Sequence, residues 1–262
     1  MKKNSFYILH LQYLGFRFHG WAKQPGIKTV HHMVDRTLKF VFEDQAFKTL
    51  GGSRTDAMVS AEHFMLELFL DEPLADEDAF VEKINFNLPA DIRLLAIEAT
   101  NAKFNIIQHA KIKRYLYLFA HGEKAHPFSA PFLTTLQQPL DVAIMAKGAK
   151  MFEGQHEFKA YCKKPKENTT TFRTVKRCEL VDNTFYNASF FPSPSYAVIF
   201  ESKGFMRNQI RMMMGELFRL GNGEITIEQL ENSLKPGFNR HLDRVAPASG
   251  LILHQIIADK NE

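Results

Sequence analysis

Cysteine is scarce in this chain: Cys162 and Cys178 are the only two in 262 residues. Two cysteines cannot build a disulfide framework, and neither pairs with histidine at metal-ligand spacing, so a reduced, cytoplasmic setting is expected. Long hydrophobic runs are missing too. The opening MKKNSFYILHLQYLGF has a basic start and an apolar stretch, but His10 and Gln12 interrupt it. No small-residue cleavage site follows, which argues against a signal peptide. Nothing approaches the ~20 apolar residues of a membrane helix. Charge of one sign is not in large excess: 33 Lys+Arg against 29 Asp+Glu give +4. That balance permits an RNA partner without demanding one, because local clustering matters more than the total.

Several chemical signatures are also absent. There is no glycine-rich loop ending in Lys-Ser/Thr and no dinucleotide glycine fingerprint after a strand, which sets aside nucleotide hydrolysis and hydride transfer and predicts no nucleotide cofactor. His31-His32 and the scattered histidines lack metal spacing; they read as surface residues, and no metal is expected. No serine sits in a nucleophile elbow.

What is present is ordinary globular material, 45% hydrophobic, with 24 Phe for an aromatic core. FYILHLQY reads as an opening strand. From Thr29, a candidate N-cap, Val30, Met33, Val34, Leu38, Val41 and Phe42 recur at helix spacing. EHFMLELFL is a second strand, Asp76 caps a short helix, and LPADIRLLAIEA is a turn and a strand. After Phe104 the same kinds of element recur: strands at IKRYLYLFA, CELVDN and SYAVIFES, and helices at LDVAIMAKGAKMF and FMRNQIRMMMGELFRL. Gly221 is read as the stop of the latter. Thr226 and Gln229 have capping-box spacing. Each half mixes strands and helices, predicting an α+β protein of two similar lobes, 1–105 and 106–262. KKPKENTTT, Lys163 to Thr171, is the most polar run and reads as an exposed loop.

Three basic-aromatic clusters stand out. FRFHGWAKQ carries Arg17 and Lys23 among Phe16, Phe18 and Trp21; IKRYLYLF carries Lys113 and Arg114 beside Tyr115 and Tyr117. The third is the helix expected to show Arg207 and Arg211, four apart, on one face, with Lys203 ahead of it. Guanidinium groups suit phosphates and aromatic rings suit unstacked bases. Any one cluster alone is better explained as an amphipathic element with solvated charges. Between two strands lies GGSRTDAMVSA, a glycine-led turn showing Arg54-Thr55-Asp56. A turn has use for the aspartate, which bonds nearby amides, but none for the arginine. A carboxylate used in chemistry gains from a cationic neighbour. Together these residues define a candidate RNA-handling site with one carboxylate.

GGSRTDAMVSA resembles the signature of the TruA-type tRNA pseudouridine synthases. The resemblance extends along almost the whole chain. Tyr13-Leu14-Gly15 with Gly20-Trp21 and Gln24 is similar to the family's opening element, and Leu88-Pro89-Ala90-Asp91-Ile92 with Phe104 to the approach to its central strand. Arg114-Tyr115-Leu116-Tyr117, Gly154-Gln155-His156-Glu157-Phe158 and Arg173-Thr174-Val175 resemble later motifs in order. So do Gly204 to Arg211 with Gly215, and Ala246-Pro247-Ala248 with Gly250-Leu251.

The resemblance implies an α+β enzyme with two related lobes, each a mainly antiparallel sheet with helices on one face, around a basic cleft. It implies a homodimer without cofactor or metal that isomerises uridine in the tRNA anticodon stem-loop. Asp56 falls on the catalytic aspartate, Tyr115 on the tyrosine that stacks on the target base, Arg211 on the arginine that pairs with the aspartate, and Arg54 on the arginine that helps extrude the nucleotide. Arg207 joins them as a substrate-binding residue. The chain departs from the pattern at Met58 in place of glycine, Ser60 in place of the bacterial histidine, Leu14 in place of an acidic residue, and Ile106-Ile107-Gln108 in place of a run containing arginine. The alternative is a non-catalytic tRNA-binding or RNA-folding protein on the same fold.

Overall fold

The computed structural model describes residues 4–165, 169–238, 240 and 242–259. The chain is α+β and divides into two compact units: Met1–Ile112 with Leu253–Glu262, and Lys113–Ile252.

In the first unit, β1 (Ser5–Tyr13) lies between β3 (Ser60–Leu70) and β4 (Ile92–Thr100), antiparallel to both, and β2 (Phe47–Gly51) adds antiparallel to the far side of β3. Side chains alternate across a strand, so Tyr7, Leu9, Leu11 and Tyr13 of β1 share a face, and all four are buried. Helix α1 (Val30–Phe42) begins where expected: the Thr29 hydroxyl accepts the His32 N–H, and Val30, Val34, Leu38 and Val41 form its buried stripe. Burying each such side chain favours folding by about 1.5–3 kcal/mol. Helix α2 (Glu77–Asn87) is capped by Asp76, whose carboxylate accepts the Ala79 N–H at 2.9 Å. A single turn, α3 (Ile106–His109), follows Asn105. Its Ile106 N–H donates to Glu67, a carboxylate 2% exposed in the centre of β3.

In the second unit, β5 (Ala110–His121), β9 (Tyr196–Ser202), β8 (Phe172–Asp182) and β7 (Gly154–Glu157) pair antiparallel in that order, and β6 (Thr134–Leu136) pairs parallel to β5. The helices are α4 (Val142–Met151), α5 (Gln209–Gly221) and α6 (Ile227–Asn232); of the strand β10 (Leu251–Ala258), Leu251 and Ile252 belong to this unit and the rest to the first. The capping box of α6 forms in both directions between Thr226 and Gln229. Helix α5 is buried around nearly its whole circumference.

Three expectations need correction. Helix α5 starts at Gln209, not Phe205, because Asn208 adopts a left-handed conformation (φ 59°) and the Gln209 side chain accepts the Met206 N–H. Arg207 therefore stands ahead of the helix and shares no helix face with Arg211. The same helix runs through Gly221 and stops at Asn222. His31 is not a surface residue: it stacks on Trp21 at 5.0 Å and bonds Thr49 at 2.8 Å. Of the polar run at Lys163–Thr171, residues 166–168 lie outside those described, and Lys163 and Lys164 are exposed.

Candidate functional site

The Arg54-Thr55-Asp56 loop joins β2 to β3, and the opening motif holds it by its backbone. The Trp21 N–H donates to the Thr55 carbonyl at 3.1 Å, and the Met58 N–H donates to the Phe18 carbonyl at 2.9 Å. The Tyr13 and Thr55 hydroxyls meet at 2.9 Å in a buried bond. Within the loop, the Val59 N–H donates to the Asp56 carbonyl at 3.2 Å. Gly20 makes this contact possible: its φ is +89°, and a Cβ there would lie 2.6 Å from the Thr55 carbonyl oxygen.

Two departures from the family pattern acquire physical meaning here. The Ser60 hydroxyl, buried, accepts the Gly15 N–H at 2.9 Å and so ties the opening motif to the start of β3. Met58 sits at φ 66°, a left-handed conformation that glycine adopts freely and other residues adopt at a cost. Its side chain is 37% exposed.

The expected site residues fall in both units. In the first, Thr55 is buried, Asp56 half-buried and Arg54 exposed, and no carboxylate pairs with Arg54 among the described residues. The other cations of the opening cluster are compensated: Arg17 pairs with Asp91 at 2.7 Å and Lys23 pairs with Asp35. Phe18 and Trp21 are both 2% exposed, so they pack the loop and offer no surface to a base.

In the second unit, Tyr115 lies on β5 opposite Phe200, edge-on to Phe205 with ring centroids 5.6 Å apart, and is 7% exposed. Its neighbour Arg114 is held by Glu201 at 2.7 Å. Arg211, in the first turn of α5, donates from Nε to the Ala246 carbonyl at 2.8 Å and from Nη1 to Asn208 Oδ1 at 3.3 Å. The Ala246 N–H returns a bond to the Arg211 carbonyl at 2.9 Å. Gly215, one helical turn on, lets the chain come this close: a Cβ there would meet the Arg244 carbonyl oxygen at 2.3 Å. The Tyr117 hydroxyl donates to the Pro247 carbonyl at 2.8 Å and lies 2.9 Å from the Thr134 hydroxyl. Ala246 thus fixes the Arg211 side chain, and Pro247 the Tyr117 hydroxyl. Arg207 is exposed, without a carboxylate partner among the described residues.

Sequence reasoning missed the tying roles of Ser60, Tyr13 and Ala246, since each bond spans tens of residues and leaves no local pattern. Among the described residues no group of three or more His, Cys, Asp or Glu is placed to hold a metal ion, and no helix is long and apolar enough to cross a membrane.

A tRNA pseudouridine synthase family model matches residues 149–257. The chain is 28% identical over 250 residues to tRNA pseudouridine synthase A of Dictyoglomus thermophilum, covering 95% of this chain and 97% of that protein. It is 29% identical over 255 residues to the enzyme of the same name from Oenococcus oeni, covering 95% and 96%. For the Aquifex aeolicus protein of that name the figures are 26% over 251 residues, covering 96% and 98%. At these coverages the chain is similar along almost its whole length to proteins named tRNA pseudouridine synthase A, and residues 149–257 match the tRNA pseudouridine synthase family model.

Proposed function

We propose that this protein is an isomerase that converts uridine to pseudouridine in tRNA, at positions 38 to 40 of the anticodon stem-loop, with Asp56 as its catalytic carboxylate. The observation that carries the reading is the immobilised Arg54-Thr55-Asp56 loop, whose backbone is tied to the opening motif at Thr55 and Met58 while Arg54 stays exposed and unpaired among the described residues. A loop built only as a turn has no need of those ties.

The reaction breaks the bond between N1 of uracil and the ribose, turns the base, and forms a carbon–carbon bond from the ribose to C5. The hydrogen displaced from C5 is balanced by one gained at N1, so there is no net redox change. A base inside a stem must first be flipped out, at a cost of a few kcal/mol. Arg54 is assigned to extrusion and Tyr115 to stacking on the flipped base. Because Tyr115 is 7% exposed, a base that stacks on it displaces what covers the ring. Arg211, held by Ala246 and Asn208, is assigned to keep Asp56 ionised and aimed. Arg207 is assigned to the RNA backbone. The protein acts in the cytoplasm as a homodimer without a cofactor.

Purified protein incubated with unmodified tRNA, followed by pseudouridine mapping, tests this. Product at positions 38 to 40 is expected from the native chain and none from Asp56→Asn. RNA that stays unmodified although the native protein binds it would replace the enzyme with a non-catalytic binder.

A further inference from the structure

Four arginines of the second unit have carboxylate partners. Arg114 and Arg177 share Glu201, Arg177 also holds Glu179, and Arg219 and Arg244 meet at Glu224. Arg173 and Arg207 have none among the described residues. The backbone nonetheless draws their segments together. The Ser202 hydroxyl donates to the carbonyl of Thr174, next to Arg173, at 2.8 Å and lies 3.2 Å from the carbonyl of Gly204. The Lys163 N–H donates to the Arg207 carbonyl at 3.3 Å. Burial pushes the Cys162 thiol up, while the Arg207 backbone N–H and the charges of Arg173 and Arg207 pull it down.

Two buried donors here lack an acceptor: Arg173 Nε and Gln209 Nε2. Gln209 is 1% exposed, opens α5, and already uses its Oε1 on the Met206 N–H at 2.9 Å. Asn208, ahead of it, supplies no side-chain cap to the helix. Unfilled buried donors destabilise a fold, so an acceptor arriving with a ligand accounts for both. Uncompensated guanidinium groups at a helix N-terminus favour an anion, and a guanidinium fork fits phosphate oxygens in particular.

We propose that Arg173, Arg207 and the N-terminal end of α5 form a seat for one phosphodiester of the RNA backbone. Phe205, two residues before Arg207, touches Tyr115, so the seat lies within a few residues of the ring assigned to the base. Arg173 acts there as a binding residue that fixes where the strand lies. This rests on the reading of the protein as an RNA-acting enzyme.

Binding of an unmodified tRNA transcript, measured across a sodium chloride series beside rates of pseudouridine formation, tests the seat with Arg173→Gln, Arg207→Gln, the double variant and Arg173→Lys. In Arg173→Gln the slope of log K against log salt is expected to flatten by about 0.7–0.9, one phosphate contact. The KM for tRNA rises severalfold while kcat stays within about twofold, as for a contact made equally in ground and transition states. The double variant flattens the slope no further, because the one phosphate is held only with both arginines present, and Arg173→Lys recovers it by restoring the charge. A native slope and KM in Arg173→Gln overturn the proposal. So does a loss that follows only a lowered unfolding midpoint with the slope unchanged. If the native protein itself fails to bind tRNA, the RNA reading falls and takes the seat with it, a result distinct from a native protein that binds and a variant that matches it.

Discussion

Arg211 and Ala246 hold each other twice, the guanidinium Nε donating to the Ala246 carbonyl at 2.8 Å and the Ala246 N–H donating to the Arg211 carbonyl at 2.9 Å. The first of these bonds fixes the direction of the charge. Arg211→Lys keeps the charge but lacks the planar fork that makes both side-chain contacts. Stability should fall by about 1–3 kcal/mol, as for a lost hydrogen bond to a charged group, read as a lower urea midpoint with unchanged m. Pseudouridine formation should fall more than the stability loss alone explains, because the lysine ammonium is free to move.

Met58 carries the strain of its loop in one torsion. Met58→Gly keeps the N–H bond to Phe18 and removes the left-handed penalty, although the unfolded chain gains freedom. The balance should be a gain of about 0.5–1 kcal/mol, seen as an upward shift of the urea midpoint.

Ser60→Ala leaves the Gly15 N–H without its acceptor in a buried place. A loss of about 1–3 kcal/mol is expected. The turn that carries Asp56 loosens with it, so kcat should fall in the same variant, checked by unfolding and turnover on one preparation.

Burial raises the pKa of Glu67 above its ordinary value of 4.5, against the opposing pull of the Ile106 N–H and the charge of His109. A carboxyl raised on folding binds its proton more tightly in the native state. Its contribution is therefore fully present below pH 4.5 and is lost as pH rises through the raised value. Glu67→Gln retains an acceptor for Ile106 and has no charge to bury. Its urea midpoint should match the native protein near pH 4 and exceed it near pH 8.

What could be read in advance was local. The caps at Thr29, Asp76 and Thr226 are side chains bonding amides three residues ahead, so type and spacing announce them. The strands announced themselves by β-rich composition, as in FYILHLQY. The start of α5 was hidden because hydrophobic spacing continues through Phe205 and Met206, while the decisive event is the left-handed torsion of Asn208. His31 was misread because Trp21 and Thr49, which enclose it, belong to other elements. At the candidate site, motif order named Arg54, Asp56, Tyr115 and Arg211, but not what steadies them. Ser60 reaches Gly15 across 45 positions and Arg211 reaches Ala246 across 35.

The bonds that tie Trp21 to Thr55 and Phe18 to Met58 also bear on how the gene can be recombined. The opening motif and the aspartate loop form one joint made of two separated stretches. A chimera with a relative that crosses over between residues 22 and 53 inherits half the joint from each parent, with Gly20 and Ser60 matched to the wrong partners. Crossovers placed before Tyr13 or after Ser60 keep the joint whole, and libraries built that way should yield the active recombinants.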